Sequence, residues 1–127
     1  MNNIQIILFN NFSEHLIPFS MVFLGYSYLV NPPKNINNSF GYRTSMSMKN
    51  KKTWEFVHRY IGRVWFKSGL LMLFIAALIL YIISDKPVGT FLYVCRTIQA
   101  SELTYFFITI ICTEIFLRKK FTNRKKK

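Results

Sequence analysis

Apolar positions collect in three blocks, near residues 16–30, 64–83 and 103–117, with polar stretches between them. The middle block, Val64 to Ile83, is 20 residues long and carries one charge, Lys67. A helix needs about 20 apolar residues to cross a bilayer core of about 30 Å. This block has that length, and Lys67 can extend its ammonium to the headgroups. The outer blocks reach spanning length by taking in polar neighbours. The pattern predicts spans at about 11–30, 64–83 and 97–117, with one of the flanking blocks lying along the interface as the alternative.

Between the first two blocks, residues 31–63 form a polar island. Asn31-Pro32-Pro33 ends the first helix, because proline lacks the N–H that a helix needs and pushes its predecessor to extended backbone. Residues 34–48 show no helical periodicity and place Gly41 between Phe40 and Tyr42. Their mixture of Phe, Tyr and Met reads as an ordered loop. A helix starts next, capped by Asn50 or Ser47. Trp54, His58, Ile61 and Trp65 fall at i, i+4, i+7 and i+11, which is one helix face. Lys51, Lys52, Glu55, Arg59 and Arg63 lie largely elsewhere, with Glu55 and Arg59 spaced to pair at i,i+4. The segment reads as an amphipathic inner-surface helix feeding the second span, with Gly62 as a bend. The fold class is therefore an all-α integral membrane protein, with three transmembrane helices and a structured cytoplasmic loop. The chain of 127 residues forms a single membrane domain. Residues 88–96 are open between an outer interfacial helix and the start of span three.

The net charge of +12 invites a nucleic-acid reading, but its placement opposes one. Lys34, Arg43, Lys49, Lys51, Lys52, Arg59 and Arg63 lie in the island, and Arg118, Lys119, Lys120, Arg124, Lys125, Lys126 and Lys127 in the tail, 118–127. The segment before span one has no cation, and the stretch after span two has Lys86 beside Asp85, then Arg96. That alternation is the positive-inside pattern. It predicts a multi-pass membrane protein with residues 31–63 and the tail in the cytoplasm and the N-terminus outside. Anionic inner-leaflet lipids are the partners this charge implies, with no direct nucleic acid. The N-terminal segment lacks a basic n-region and a small-residue cleavage site, so span one reads as a retained anchor. Three spans are thin for a self-contained transporter, and a substrate path would need a homo-oligomer.

The candidate functional groups are polar residues of the island and the spans. Arg43, between Tyr42 and Thr44, is either a fork for a carboxylate or phosphate or a brace for its own loop. His58 is either a base or pH switch, or an interfacial histidine bonded to a loop carbonyl. Glu114 in span three is an intramembrane acid, hence a functional hypothesis by default, but Arg118 at i+4 offers it a partner. Glu102 and Arg96 are placed at the outer interface. Cys95 and Cys112 lie 17 residues apart, roughly 25 Å along one helix and beyond disulfide reach. Cys112 reads as a small apolar filler. No catalytic triad, Walker motif or metal-ligand spacing is present, so no catalytic residue, cofactor or metal is assigned.

The run from Asn31 to Gly69 resembles the SdpI family of bacterial membrane proteins. The residues that carry the likeness are Pro32-Pro33, Asn37-Asn38, Gly41-Tyr42-Arg43-Thr44, Ser47, Asn50, Trp54, His58-Arg59, Gly62 and Ser68-Gly69. With its flanking spans the likeness covers roughly residues 11–83, and span three with Glu114 is similar more loosely. The resemblance implies a non-enzymatic protein that gives immunity to a secreted peptide toxin, relays the toxin's presence to a cytosolic repressor, or both. It also implies that Asn38, Gly41, Tyr42, Arg43, Thr44, Ser47, Trp54, His58 and Arg59 bind a partner or structure the loop. The family's name-giving member is longer, with about twice as many spans, and this chain lacks that half. An accessory subunit of a transporter or envelope complex is the alternative, and a lipid-headgroup enzyme using Arg43, His58 and Glu55 a more distant one.

Overall fold

A computed structural model describes residues 3–122. Four helices and no strand occur among them: α1 (Asn3–Glu14), α2 (Leu16–Val30), α3 (Lys51–Ile82) and α4 (Val88–Thr122). α3 and α4 are each long and apolar enough to cross a membrane. The first span differs from the expected single helix. α2 alone, at 15 residues, is about 22 Å long, and α1 precedes it across a break at His15. The cause is Pro18 in the first turn of α2. It has no N–H to offer the carbonyl of Glu14, and its ring crowds that carbonyl.

α1 and α2 together make one broken course through the bundle. Gln99 of α4 donates to Ser13 of α1 at 3.0 Å, Ile7 packs on the cluster of Leu80, Phe91 and Cys95, and Met21 shares a groove with Leu103 and Phe106. This course therefore runs parallel to α4, and α3 runs antiparallel to both. Two cores result. One, at the loop end, gathers Met21, Tyr28, Tyr42, Met46, Val57, Ile61, Trp65 and Leu117. The other, at the far end, gathers Leu80, Phe91 and Cys95. Phe19, Phe23, Phe74, Tyr81, Phe107 and Ile111 all face outward and exposed, an apolar surface that suits lipid and not water.

α3 begins where Asn50 caps it, its side chain accepting from the Thr53 amide at 2.9 Å. The expected inner-surface helix is not a separate element: residues 51–63 continue without interruption into the apolar stretch. Gly62 sits inside this continuous helix. It lies against Tyr28 and Gly25 of α2, where small residues let helices approach. A Cβ added at Gly25 would sit 2.5 Å from the Phe66 amide nitrogen and 2.8 Å from the Gly62 carbonyl oxygen. Gly69 meets Pro18 and Val22 in the same way. Residues 88–96 belong to α4, so the expected third span is the middle of a longer helix. Cys95 is buried and Cys112 exposed, which reverses the filler role: position 112 lies on the outward face of α4. Both cysteines are free.

The α2–α3 contact gives a direct test. Gly25→Ala should cost about 1–3 kcal/mol, on the scale of an overpacked core. Gly89→Ala, whose added carbon meets nothing within 4 Å, should be neutral or slightly stabilising. Thermal unfolding of both variants in detergent reads the difference.

Candidate functional site

The polar island folds onto the end of the bundle through bonds that its own sequence prepares. The Asn31 amide closes α2 on the Ser27 carbonyl at 2.9 Å, and Pro32-Pro33 turns the chain out of the helix. Asn37 then builds a tight turn, its side-chain oxygen accepting from the Ser39 and Phe40 amides at 2.9 and 2.8 Å. Such a turn is the usual work of an Asn side chain in a loop. Gly41 follows with φ of +127°, a conformation that favours glycine. Space also requires glycine here. A Cβ would lie 2.6 Å from His58 Nε2 and 2.9 Å from the Trp54 ring.

That close approach delivers the next amide to a histidine. The Tyr42 N–H donates to His58 Nε2 at 2.8 Å, and His58 Nδ1 lies 2.7 Å from the Trp54 carbonyl oxygen. An imidazole that accepts at Nε2 must carry its proton on Nδ1 to donate to a carbonyl, so the pair of bonds selects the neutral ring. His58 is fully buried. Burial pushes its pKa below the usual histidine value, against the smaller upward pull of its bond to the Trp54 carbonyl. Tyr28 of α2 meets the imidazole edge-on at 4.9 Å, and the Trp54 ring lies at 4.4 Å. Trp54 in turn donates its indole N–H to the Pro33 carbonyl at 2.7 Å.

α4 is tied in from the other side. The Tyr42 hydroxyl donates to the Ile110 carbonyl at 3.2 Å, and the Trp65 indole donates to Thr109 Oγ1 at 3.0 Å. Burial, and then the charge of Glu114, raise the Tyr42 phenol above its ordinary pKa, so it stays a donor. Thr44 and Ser47 brace each other. Ser47 Oγ accepts from the Thr44 amide at 2.7 Å and Thr44 Oγ1 from the Ser47 amide at 3.1 Å. Ser47 thus serves the loop, and Asn50 alone caps α3.

The expected site residues separate into two sets. Gly41, Tyr42, Thr44, Ser47, Trp54 and His58 come together in the clamp. Asn38, Arg43 and Arg59 are exposed. Arg43 donates from one guanidinium nitrogen to the Asn38 carbonyl, which holds the fork at the loop surface. Arg59 does not pair with Glu55. The ion pairs among the described residues are Lys86–Asp85 and Arg118–Glu114. Both Glu55 and Arg59 are solvated, where pairing gains little. They instead line a cleft of 340 Å³ with Pro32, Pro33, Lys34 and Lys51. Glu114 meets Arg118 at 3.4 Å and also accepts from Ser45 at 3.4 Å. Arg118, Lys119 and Lys120 belong to α4, and the tail cations from Arg124 onward lie outside the described residues.

A model of the SdpI/YfhL protein family matches residues 34–117. The chain belongs to the SdpI/YfhL family. Bacillus subtilis (strain 168) has a relative, "Uncharacterized protein YfhL", that is 36% identical over 52 residues, 41% of this chain and 47% of that protein. The match therefore spans about half of the relative's length. No solved structure matches. The SdpI/YfhL region holds the whole clamp on the α3 and α4 side, while the Tyr28 ring and the Pro33 carbonyl that complete it lie before the matched residues. Those two groups escaped the sequence reading, as did Thr109 and Ile110. Tyr28 is buried with Pro18, Met21 and Gly25 at spacings of three and four, but α2 is apolar on every face and its sequence marks no stripe. The main-chain carbonyls left none.

Two consequences of the clamp are measurable. Trp54→Ala empties a fully buried site and should cost about 3–5 kcal/mol, read as a lower unfolding midpoint in detergent. His58 should also give stability an acid limb. Its pKa is lower folded than unfolded, so its contribution is complete above about 6.5, the unfolded value, and is lost as the pH falls below it. Unfolding midpoints measured from pH 5 to 8 should show this limb in the wild type and not in His58→Gln.

Proposed function

We propose that this chain is an SdpI-like membrane protein that gives immunity to a secreted peptide toxin, relays the toxin's presence to a cytosolic regulator, or does both, without catalysing a reaction. Family membership supports the reading, and two apolar helices fit a membrane protein. The observation that carries it is the clamp. A loop of the length found here is fastened to α2, α3 and α4 at once, so a change in helix packing reaches its surface. Its polar groups are spent on holding the loop. His58 has both nitrogens committed and is fully buried, so it is not available as a base.

The cation distribution supports a cytoplasmic loop and tail with the N-terminus outside. In that orientation the toxin meets the outer face and the spans, anionic lipid holds the basic rim, and the loop surface around Arg43 answers inside. The guanidinium presents its remaining donors outward from a fixed position, which suits a carboxylate or phosphate on a partner. The experiment is survival of a toxin-sensitive strain with and without this gene against a panel of secreted peptides. The gene should protect against at least one of them. Protection against none would remove the immunity reading.

Arg43→Lys refines the test. Lysine keeps the charge and loses the fork. The variant should insert and accumulate like the wild type and lose protection, measured as the shift in inhibitory peptide concentration. Full protection by Arg43→Lys would reduce Arg43 to a lipid anchor.

A further inference from the structure

Where the chain leaves α2, the cleft of 340 Å³ opens between the turn after that helix and the first turns of α3. Pro32, Pro33 and Lys34 line one side, and Lys51, Glu55 and Arg59 the other. The α3 residues recur every four positions, so they form one stripe along the helix. The opposite wall is fixed. Two prolines have little backbone freedom, and the Trp54 indole holds the Pro33 carbonyl at 2.7 Å. The shape of the cleft is therefore set by the folded loop. Its four charged side chains are exposed. Among the described residues, none of the four makes an ion pair or a side-chain hydrogen bond.

Lys34, Lys51 and Arg59 outweigh Glu55, so the cleft is positive. α3 adds to that field. Its first turn holds Lys51 and Lys52 and no acidic residue, although a helix N-terminus is itself positive. Cations held around one cleft repel one another, and an anion between them offsets that repulsion. Arg59 offers a planar fork and the two lysines compact charges, a set suited to the oxygens of a phosphate. The volume suits a small ligand, for which pockets run from about 300 to 1,000 Å³. The cleft also spans two surroundings. Arg59 is five residues before Val64, where the apolar stretch of α3 begins, about 8 Å along the helix and near headgroup depth. Lys51 lies about 12 Å farther out. We propose that Lys34, Lys51 and Arg59 bind the phosphate of a phosphoester, supplied by a lipid headgroup or by a soluble molecule. The lipid source rests on the membrane reading, and neither source rests on toxin immunity.

The test compares the full-length wild type with two double variants that lose the same charge. The cleft variant is Lys34→Gln, Arg59→Gln. The control is Lys49→Gln, Lys52→Gln, at exposed positions that do not line the cleft. In one arm, glycerol 3-phosphate is titrated calorimetrically into protein held in phosphatidylcholine nanodiscs. In the other, native mass spectrometry reads the affinity of detergent-solubilised protein for phosphatidylglycerol. In at least one arm the wild type should bind. There the cleft variant should bind about tenfold more weakly or worse, and the control within about twofold of the wild type. Binding of glycerol 3-phosphate identifies a soluble source, and binding of phosphatidylglycerol alone identifies the lipid headgroup. Equal weakening in both variants would reduce the cleft to diffuse attraction and overturn the site, as would no binding in either arm. Should the cleft variant fail to fold, Lys34→Gln alone replaces it under the same criteria, with Lys49→Gln as its control.

Discussion

α2 and α3 pack closely where Gly25 and Gly62 let backbone meet backbone. Everything at the loop end depends on that distance. It sets Tyr28 edge-on against His58, and it brings the Pro33 carbonyl within reach of the Trp54 indole. A larger residue at either glycine would lift the first course off α3 and take both contacts with it. In a lipid surrounding, hydrophobicity does little to hold helices together, so close packing of this kind is what remains to do it.

The loop is held by a different economy. Besides burying Tyr42 and Met46 in the apolar core, the loop is fixed by polar groups. It depends on single bonds with defined donors and acceptors: the Tyr42 amide to an imidazole, an indole to a proline carbonyl, a phenol to a carbonyl of α4. Each uses a group that would be costly to bury unpaired. A neutral His58 is essential to this arrangement, since a doubly protonated ring has no lone pair for Tyr42. At the other end of the bundle the logic reverses, and the carboxyl groups of Glu14 and Glu102 lie buried without a hydrogen-bond partner.

Much of this was legible in the residues. Hydropathy marked α3 and α4, and helical spacing put Trp54, His58, Ile61 and Trp65 on one face, where all four are buried. Glu114 and Arg118 meet as i,i+4 spacing suggested. The break at His15 was missed because Pro18 sits in an apolar run, and hydropathy does not register a missing N–H. Glu14 and Glu102 were missed for a related reason. Glu14 counted only as a polar neighbour of span one and Glu102 as an outer-interface residue, and the packing of distant segments is what buries both. The Glu55–Arg59 pairing failed because spacing permits a surface pair without making it worthwhile.

Tyr42 is joined at both ends, its amide to α3 through His58 and its hydroxyl to α4 through Ile110. It therefore acts as a strut between two helices that are also tied by the Trp65–Thr109 bond. Rotation of α4 against α3 by more than the slack of a hydrogen bond must either pull the phenol from its carbonyl or drag the Gly41–Arg43 backbone along. At Gly41, His58 and Trp54 fill the space that a Cβ would take. A rotation of α4 against α3 would therefore strain the short surface stretch that ends at Arg43.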